Sequence, residues 1–179
     1  MKSLFLLLAT SCIISVVTAQ ETNKPIKHRN GADAPSPPAF VVQTLTDGTV
    51  VSVDYSQPSV KGRTIGKDLE PTEGKVWRTG ANEATVFEIN KDVKVEGKSL
   101  PAGKYGLFTI MDGDEWTIIF NKTWSQWGAF NYKEADDALR VKVKGSKADT
   151  FAEKMTFSVS KAGKVTLVWA DKKVDFTVK

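Results

Sequence analysis

Residues 105–121, YGLFTIMDGDEWTIIFN, contain two apolar runs that are separated by Asp112-Gly113. In the second run Trp116, Ile118 and Phe120 recur at every other position, as side chains do on the buried face of a β-strand. An Asp-Gly pair between two such runs is typical of a tight turn, because glycine tolerates the positive φ angle that the turn requires. The stretch therefore predicts an antiparallel β-hairpin.

The same alternation recurs on both sides of this hairpin, with turns rich in Gly, Asp or Lys between the runs. The alternating positions are Val51, Val53 and Tyr55; Phe87 and Ile89; Val93 and Val95; Leu139, Val141 and Val143; Met155, Phe157 and Val159; Val165, Leu167 and Trp169; and Val174, Phe176 and Val178. Short strands at such regular spacing predict an all-β domain, for which we expect a single antiparallel β-sandwich or, alternatively, a small β-barrel. Residues 125–138 lack the alternation, and they are where we expect at most a short helix.

The first 38 residues differ from the rest of the chain. Residues 1–19 combine a basic start, an apolar run and small residues before position 20, which predicts a signal peptide. Residues 20–38 contain four prolines and no apolar periodicity, so we expect a disordered tail before a single domain over 39–179. The mature protein is then exported, periplasmic or secreted, with no transmembrane segment. Cys12 loosely resembles a lipoprotein cleavage site, so a lipid anchor at Cys12 is the alternative.

The chain contains one cysteine and one histidine, which restricts the chemistry that the domain can perform. Cys12 falls in the predicted signal peptide and His28 in the predicted tail. Nucleophilic catalysis by Ser-His-Asp or Cys-His groups is then excluded, since the folded domain has no histidine base. We expect no metal site and no cofactor. A net charge of +4 without a cluster of basic residues also argues against nucleic acid as a partner.

Residues 56–85 interrupt the strand pattern with four glycines, two prolines and nine charged residues. Long irregular connections in compact domains are often functional. This one concentrates cationic, amide, carboxylate and aromatic side chains that suit ligand binding, namely Arg63, Trp77, Arg78, Asn82 and Glu83. The structural alternative is that an Arg78–Glu83 ion pair only holds the loop together, while Trp77 fills the core.

A second group of aromatic residues occurs in the irregular segment after the quoted hairpin. It consists of Trp124, Trp127, Phe130 and Tyr132. Their rings could form a wall that stacks on a sugar, or they could close one end of the sandwich as part of its core. Trp127 and Tyr132 are the two that we include among the candidate ligand-binding residues.

Several segments resemble a known family of exported bacterial proteins. They are 54–63 (DYSQPSVKGR), 74–85 (GKVWRTGANEAT), 100–105 (LPAGKY), 115–117 (EWT) and 126–128 (QWG). The family is common in Bacteroidetes-like bacteria and is known as a domain of unknown function. The resemblance covers roughly residues 36–179, although family members usually have arginine at the position of Gln57. It implies an exported β-rich domain and supplies no activity, substrate or catalytic residue.

We therefore expect a non-catalytic binding module for a small molecule or a glycan. The alternatives are a structural or assembly component of the cell envelope with a protein partner and, less favoured, a hydrolase that uses carboxylates such as Asp54 and Glu83. The deciding question is whether the Arg78–Glu83 segment and Trp127 line one surface.

Overall fold

The computed structural model describes residues 34–179, and almost all of its regular structure is β. The strands are β1 (Pro38–Thr44), β2 (Val50–Ser56), β3 (Thr85–Ile89), β4 (Val93–Val95), β5 (Lys98–Leu100), β6 (Gly103–Asp112), β7 (Glu115–Asn121), β8 (Asp137–Val159) and β9 (Lys164–Thr177). The expected short helix is reduced to the 3-10 turn Glu134–Asp136. The prediction of an all-β antiparallel domain is thus confirmed.

The predicted signal peptide, Cys12, His28 and the tail up to residue 33 lie outside the described residues. Of the predicted tail, Pro38 opens β1, and the N–H of Gln57 donates a hydrogen bond to the carbonyl of Pro37 (2.8 Å). No helix in residues 34–179 is long and apolar enough to cross a membrane.

Seven strands form one antiparallel sheet in the order β1-β2-β3-β6-β7-β8-β9, and β4 and β5 form a small second sheet. The hairpin predicted from residues 105–121 is the β6–β7 pair, in which Leu107 lies opposite Phe120 and Asp112 lies opposite Glu115. Gly113 at its turn has a φ angle of 58°, as the Asp-Gly pattern predicts.

The large sheet curls because β8 is 23 residues long and changes partner along its length. Its first part pairs with β7 and its last part with β9, with register shifts between Lys147 and Thr156. Such irregularities bend a strand and increase its twist. The end of β8 then meets the chain that follows β2, where the N–H of Met155 bonds to the carbonyl of Pro58 (3.0 Å). Both layers around the core therefore belong to one half-barrel, intermediate between the predicted sandwich and its barrel alternative.

The main core fills the inside of this curl. Phe87 of β3, Phe120 of β7 and Phe176 of β9 contact one another there, with ring centroids 5.1 to 6.0 Å apart. Trp116 and Trp169, which are in phase with apolar neighbours in the sequence, are 2% and 1% exposed.

A second, smaller apolar cluster lies on the other side of the sheet. Ala84, Phe108 and Ile119 are its buried members. Phe108 and Ile119 alternate with core residues along β6 and β7, so their side chains leave the sheet on the opposite face. Ala129 and Tyr132 pack against them from the chain that links β7 to β8. This linking chain carries the predicted aromatic group onto the outer face of the sheet.

Candidate functional site

The chain before β3 makes a closed loop beside β6. Trp77 and Thr109 exchange two backbone hydrogen bonds of 2.8 and 2.9 Å, so the chain before the loop pairs with β6 just beyond the point where β3 begins. The N–H of Thr85 then bonds back to the carbonyl of Arg78 (3.2 Å). The chain therefore leaves the sheet after Arg78 and rejoins it beside that point at Thr85. We call residues 78–85 the 78–85 loop.

Hydrogen bonds hold the 78–85 loop in a conformation that L-residues seldom adopt. Thr79 and Asn82 have φ angles of 52° and 59°, in the left-handed region. The Thr85 hydroxyl donates to the carbonyl of Thr79 (2.7 Å), and the Thr79 hydroxyl bonds to that of Thr109 (3.1 Å). A Cβ at Gly80 would lie 2.9 Å from the Thr85 hydroxyl oxygen. The loop is thus tightly packed against the sheet.

The chain between β7 and β8 is pinned at both ends by side chains. At its start, the Asn121 amide donates to the carbonyl of Lys133 (2.9 Å) and to Asp137 Oδ1 (2.8 Å), and its oxygen accepts the N–H of Thr123 (2.9 Å). Asn121 is completely buried. Both the oxygen and the nitrogen of its side-chain amide therefore form hydrogen bonds that shape this connection.

At the other end, Tyr132 is held by its ring and by its hydroxyl. The ring packs on Phe108 with centroids 5.0 Å apart. The hydroxyl donates to Asp137 Oδ2 (2.7 Å) and accepts a hydrogen bond from Arg140, whose Nε also donates to that carboxylate (2.6 Å). Burial, together with the hydrogen bond to Asp137, raises the pKa of Tyr132 to about 12. Tyr132 therefore packs beneath the connection, and its hydroxyl is already hydrogen-bonded to Asp137 and Arg140.

The two irregular segments that the sequence singled out are direct neighbours. The N–H of Ala84 donates to the carbonyl of Gln126 (3.0 Å), and the N–H of Gly128 donates to the carbonyl of Asn82 (3.0 Å). Between these two bonds, Glu83 and Trp127 form an antiparallel bridge. Residues 124–130, the 124–130 loop, are thus joined edge to edge with the 78–85 loop.

Two aromatic rings of the 124–130 loop face solvent. Trp127 is 41% exposed and Phe130 is 83% exposed, the largest value among the exposed large apolar residues. Gly128 lies between them with a φ angle of 65°, and a Cβ there would lie 2.8 Å from Cε2 of Phe130. We call Trp127 and Phe130 the aromatic platform. Trp124 differs, because it is half-buried and Lys104 lies 5.4 Å above its ring.

Arg78 is half-buried at the base of the 78–85 loop. Its Nε is buried and has no hydrogen-bond partner within residues 34–179. Burial lowers the pKa of its guanidinium, and the negative charge of Glu70 partly offsets this effect. The charge of Glu70 thus acts on Arg78, and hydrogen bonds of the N–H groups of Ala81, Ala84 and Thr85 tie this loop to its surroundings.

Two residues that neighbour the 78–85 loop have an atom of the same kind. Ser56 Oγ and Gln126 Oε1 are also buried without a hydrogen-bond partner in the described part of the chain. A buried polar atom in this state costs about 1–3 kcal/mol, and each one calls for an explanation, such as a bound partner. All three residues touch the loop through their carbonyls, which accept hydrogen bonds from Ala81 N–H (Ser56), Thr85 N–H (Arg78) and Ala84 N–H (Gln126).

The other predicted residues lie elsewhere or serve the fold. Trp77 is 2% exposed within the main core, and its indole N–H donates to the carbonyl of Gly80 (3.1 Å), as the structural alternative expected. Arg63 is exposed, and its guanidinium donates to the carbonyls of Ser59 and Val60 in its own turn. Asp54, one of the two carboxylates considered for hydrolysis, is 4% exposed.

The site also contains residues that sequence reasoning missed. Ser56 and Gln126 fall within the segments 54–63 and 126–128 that resemble the family, but that resemblance supplies no site residue. Gly128 offered the only usable signal, since a glycine between two aromatic residues indicates a special backbone angle or a close approach. Gln57, where family members usually have arginine, donates to the carbonyl of Met155 (2.9 Å) and so helps to close the curl of the sheet.

Comparison with known proteins agrees with the resemblance seen in the sequence. No curated protein and no solved structure shows significant similarity to the chain. A family model described as "Protein of unknown function (DUF2911)" matches residues 36–178, which include all the residues of the site described above. The chain therefore belongs to the DUF2911 family.

Proposed function

We propose that this protein is a non-catalytic carbohydrate-binding module whose contact surface is the aromatic platform with the adjoining 78–85 loop. The observation that carries the proposal is the pair of exposed rings, Trp127 and Phe130, on one backbone-anchored loop. Exposed apolar patches on a folded domain mark interaction sites, and flat aromatic faces suit stacking on a sugar ring.

The polar groups beside the platform suit a ligand rich in hydroxyls. Asn82 and Glu83 are partly exposed and lie directly across the backbone bridge from Trp127 and Gly128. An amide both donates and accepts hydrogen bonds, whereas a carboxylate accepts them. A sugar hydroxyl both donates and accepts hydrogen bonds, so one ligand class suits contact with both the rings and the polar rim. Export, which the sequence predicts, would bring the module into contact with such ligands.

Binding to immobilised polysaccharides, followed by titration calorimetry with the best ligand, tests this proposal. We expect Trp127→Ala and Phe130→Ala each to weaken binding by about tenfold or more, since a stacking aromatic residue contributes above 1.4 kcal/mol at a binding hot spot. Phe151→Ala is the matched control, because Phe151 is also exposed (62%) but lies on β8.

Two outcomes would overturn the proposal. Binding that survives both platform substitutions would place the carbohydrate elsewhere on the molecule. The absence of carbohydrate binding, with a stable protein partner that is lost on Phe130→Ala, would instead favour an assembly role in the envelope.

A further inference from the structure

Arg78 has a charge that the described residues do not fully compensate. Its Nε is buried without a hydrogen-bond partner in residues 34–179, and Glu70 is the carboxylate that offsets the effect of its burial. Removing part of a cation from water without pairing it is unfavourable, so an anion brought to this side chain would regain the lost interaction. The planar guanidinium fork matches a carboxylate with two parallel hydrogen bonds.

Strand alternation places Arg78 on the same side of the sheet as the aromatic platform. Around the bridge to Thr109, Trp77 packs in the main core, whereas Val76 packs in the second cluster on the outer face. Arg78, two residues after Val76, therefore leaves the chain toward the outer face. The 124–130 loop covers that face, since Ala129 packs in the second cluster.

The order of the neighbouring backbone segments also sets the distance between Arg78 and the loop that carries the aromatic platform. The end of the 78–85 loop lies between Arg78 on one side, through the Thr85–Arg78 bond, and Gln126 on the other, through the Ala84–Gln126 bond. The backbones at Arg78 and at Gln126 are therefore two strand spacings of about 4.8 Å apart, which gives a distance of about 10 Å. A short oligosaccharide can span that distance.

We infer that the carbohydrate bound at this surface carries a carboxylate, as uronic acids do, and that Arg78 binds this carboxylate. The inference rests on the proposed function, because the aromatic platform holds a sugar ring while Arg78 selects the acidic group. Neutral sugars of the same shape then bind more weakly.

The test compares an oligogalacturonide with its methyl ester, which has the same sugar chain without the negative charges. By calorimetry at low salt, we expect the acid to bind the native protein at least about tenfold more tightly than the ester. Arg78→Gln should remove most of this preference, so that the acid and the ester bind the variant with similar affinity. Arg78→Lys, which keeps the charge but lacks the planar fork, should retain only part of the preference.

Glu70→Gln separates ligand binding from an internal role of Arg78. If Arg78 serves the ligand, removal of the competing Glu70 charge should tighten binding of the oligogalacturonide and leave that of the ester unaltered. If Arg78 serves chiefly to pair with Glu70, the substitution should lower the melting temperature and leave the affinity for the acid as it was, which would overturn the inference. Melting temperatures of both Arg78 variants confirm that they are folded.

The two proposals fail in different ways. Equal affinity for acid and ester, sensitive to Trp127→Ala but not to Arg78→Gln, would overturn the acidic ligand and keep the carbohydrate module. Acid binding that depends on Arg78 but not on Trp127 or Phe130 would remove the platform and leave an anion site. No binding of either sugar, with native-like melting of every variant, would overturn both for this sugar class.

Discussion

Gly128 occupies a position in the 124–130 loop that favours glycine. Its φ angle of 65° lies in the left-handed region, and the ring of Phe130 lies where a Cβ would be. The glycine thus fixes how the aromatic platform is presented, although it has no side chain with which to touch a ligand. The requirement is local, so it can be tested with a single methyl group.

We expect Gly128→Ala to lower the free energy of unfolding by more than about 1 kcal/mol and to displace the ring of Phe130. Carbohydrate affinity should fall with it, because the platform loses its arrangement. Gly74→Ala is the matched control: Gly74 has a similar φ angle of 68°, but nothing lies within 4 Å of its virtual Cβ. Denaturant unfolding of both variants isolates the effect of crowding Phe130, and equal losses would show that the ring simply moves aside.

Individual residues also show why the candidate site was only partly predictable. Trp77 and Tyr132 were candidate ligand-binding residues with a core role as the alternative, and both have an apolar body that the fold buries and a polar atom that the fold satisfies. The partners are Gly80 in a loop, and Asp137 and Arg140 at the start of β8. The local sequence pattern does not indicate these partners, because they depend on how the 78–85 loop and the chain between β7 and β8 fold back.

The elements themselves were largely predictable, since buried residues alternate along β9 and along the last part of β8. The β6–β7 hairpin follows from two alternating runs and an Asp-Gly turn. The contact between the two loops does not follow from any run of sequence. It depends on Trp77 pairing with Thr109 of β6, two residues past Leu107, which pairs with the first residue of β3. The local sequence does not indicate such long-range register.

At the scale of the element, Asn121 is the residue that holds the β7–β8 connection in place. We expect Asn121→Ala to lower the free energy of unfolding by about 2 kcal/mol or more, because it leaves the carbonyl of Lys133, Asp137 Oδ1 and the N–H of Thr123 short of a partner. Hydrogen exchange should rise most in residues 122–136. Asn131→Ala, an exposed asparagine in the same connection, should change little.

Proteolysis gives an independent check on the Asn121 prediction. Cleavage of the Asn121→Ala variant within the connection, with the strands intact, would show that the amide anchors this segment alone. Uniform loss of protection across the sheet would instead show that Asn121 supports the whole fold and that the connection has no separate stability.

The curl of the whole molecule was the least predictable feature. Alternation indicates which residues of β8 are buried, but it does not show that a 23-residue strand bends and serves β7 at one end and β9 at the other. Because of this bend, β9 lies across the core from β3 and β7. Phe176 of β9 packs on Phe87 and Phe120, so it joins the two layers of the half-barrel.

The contribution of this junction can be measured with Phe176→Leu. The substitution keeps an apolar side chain but removes the ring contacts at 5.9 and 6.0 Å, so we expect a loss of about 1–2 kcal/mol, below the 3–5 kcal/mol typical of truncation to alanine. Phe151→Leu is the matched control, since Phe151 is 62% exposed on β8 and should change stability by no more than about 0.5 kcal/mol.

A loss of hydrogen-exchange protection that is confined to β9, with the platform still binding carbohydrate, would contradict cooperative closure. A half-barrel with one core should instead loosen as a unit. Equal effects of the two substitutions would show that the layers are held together by the β8 bend alone.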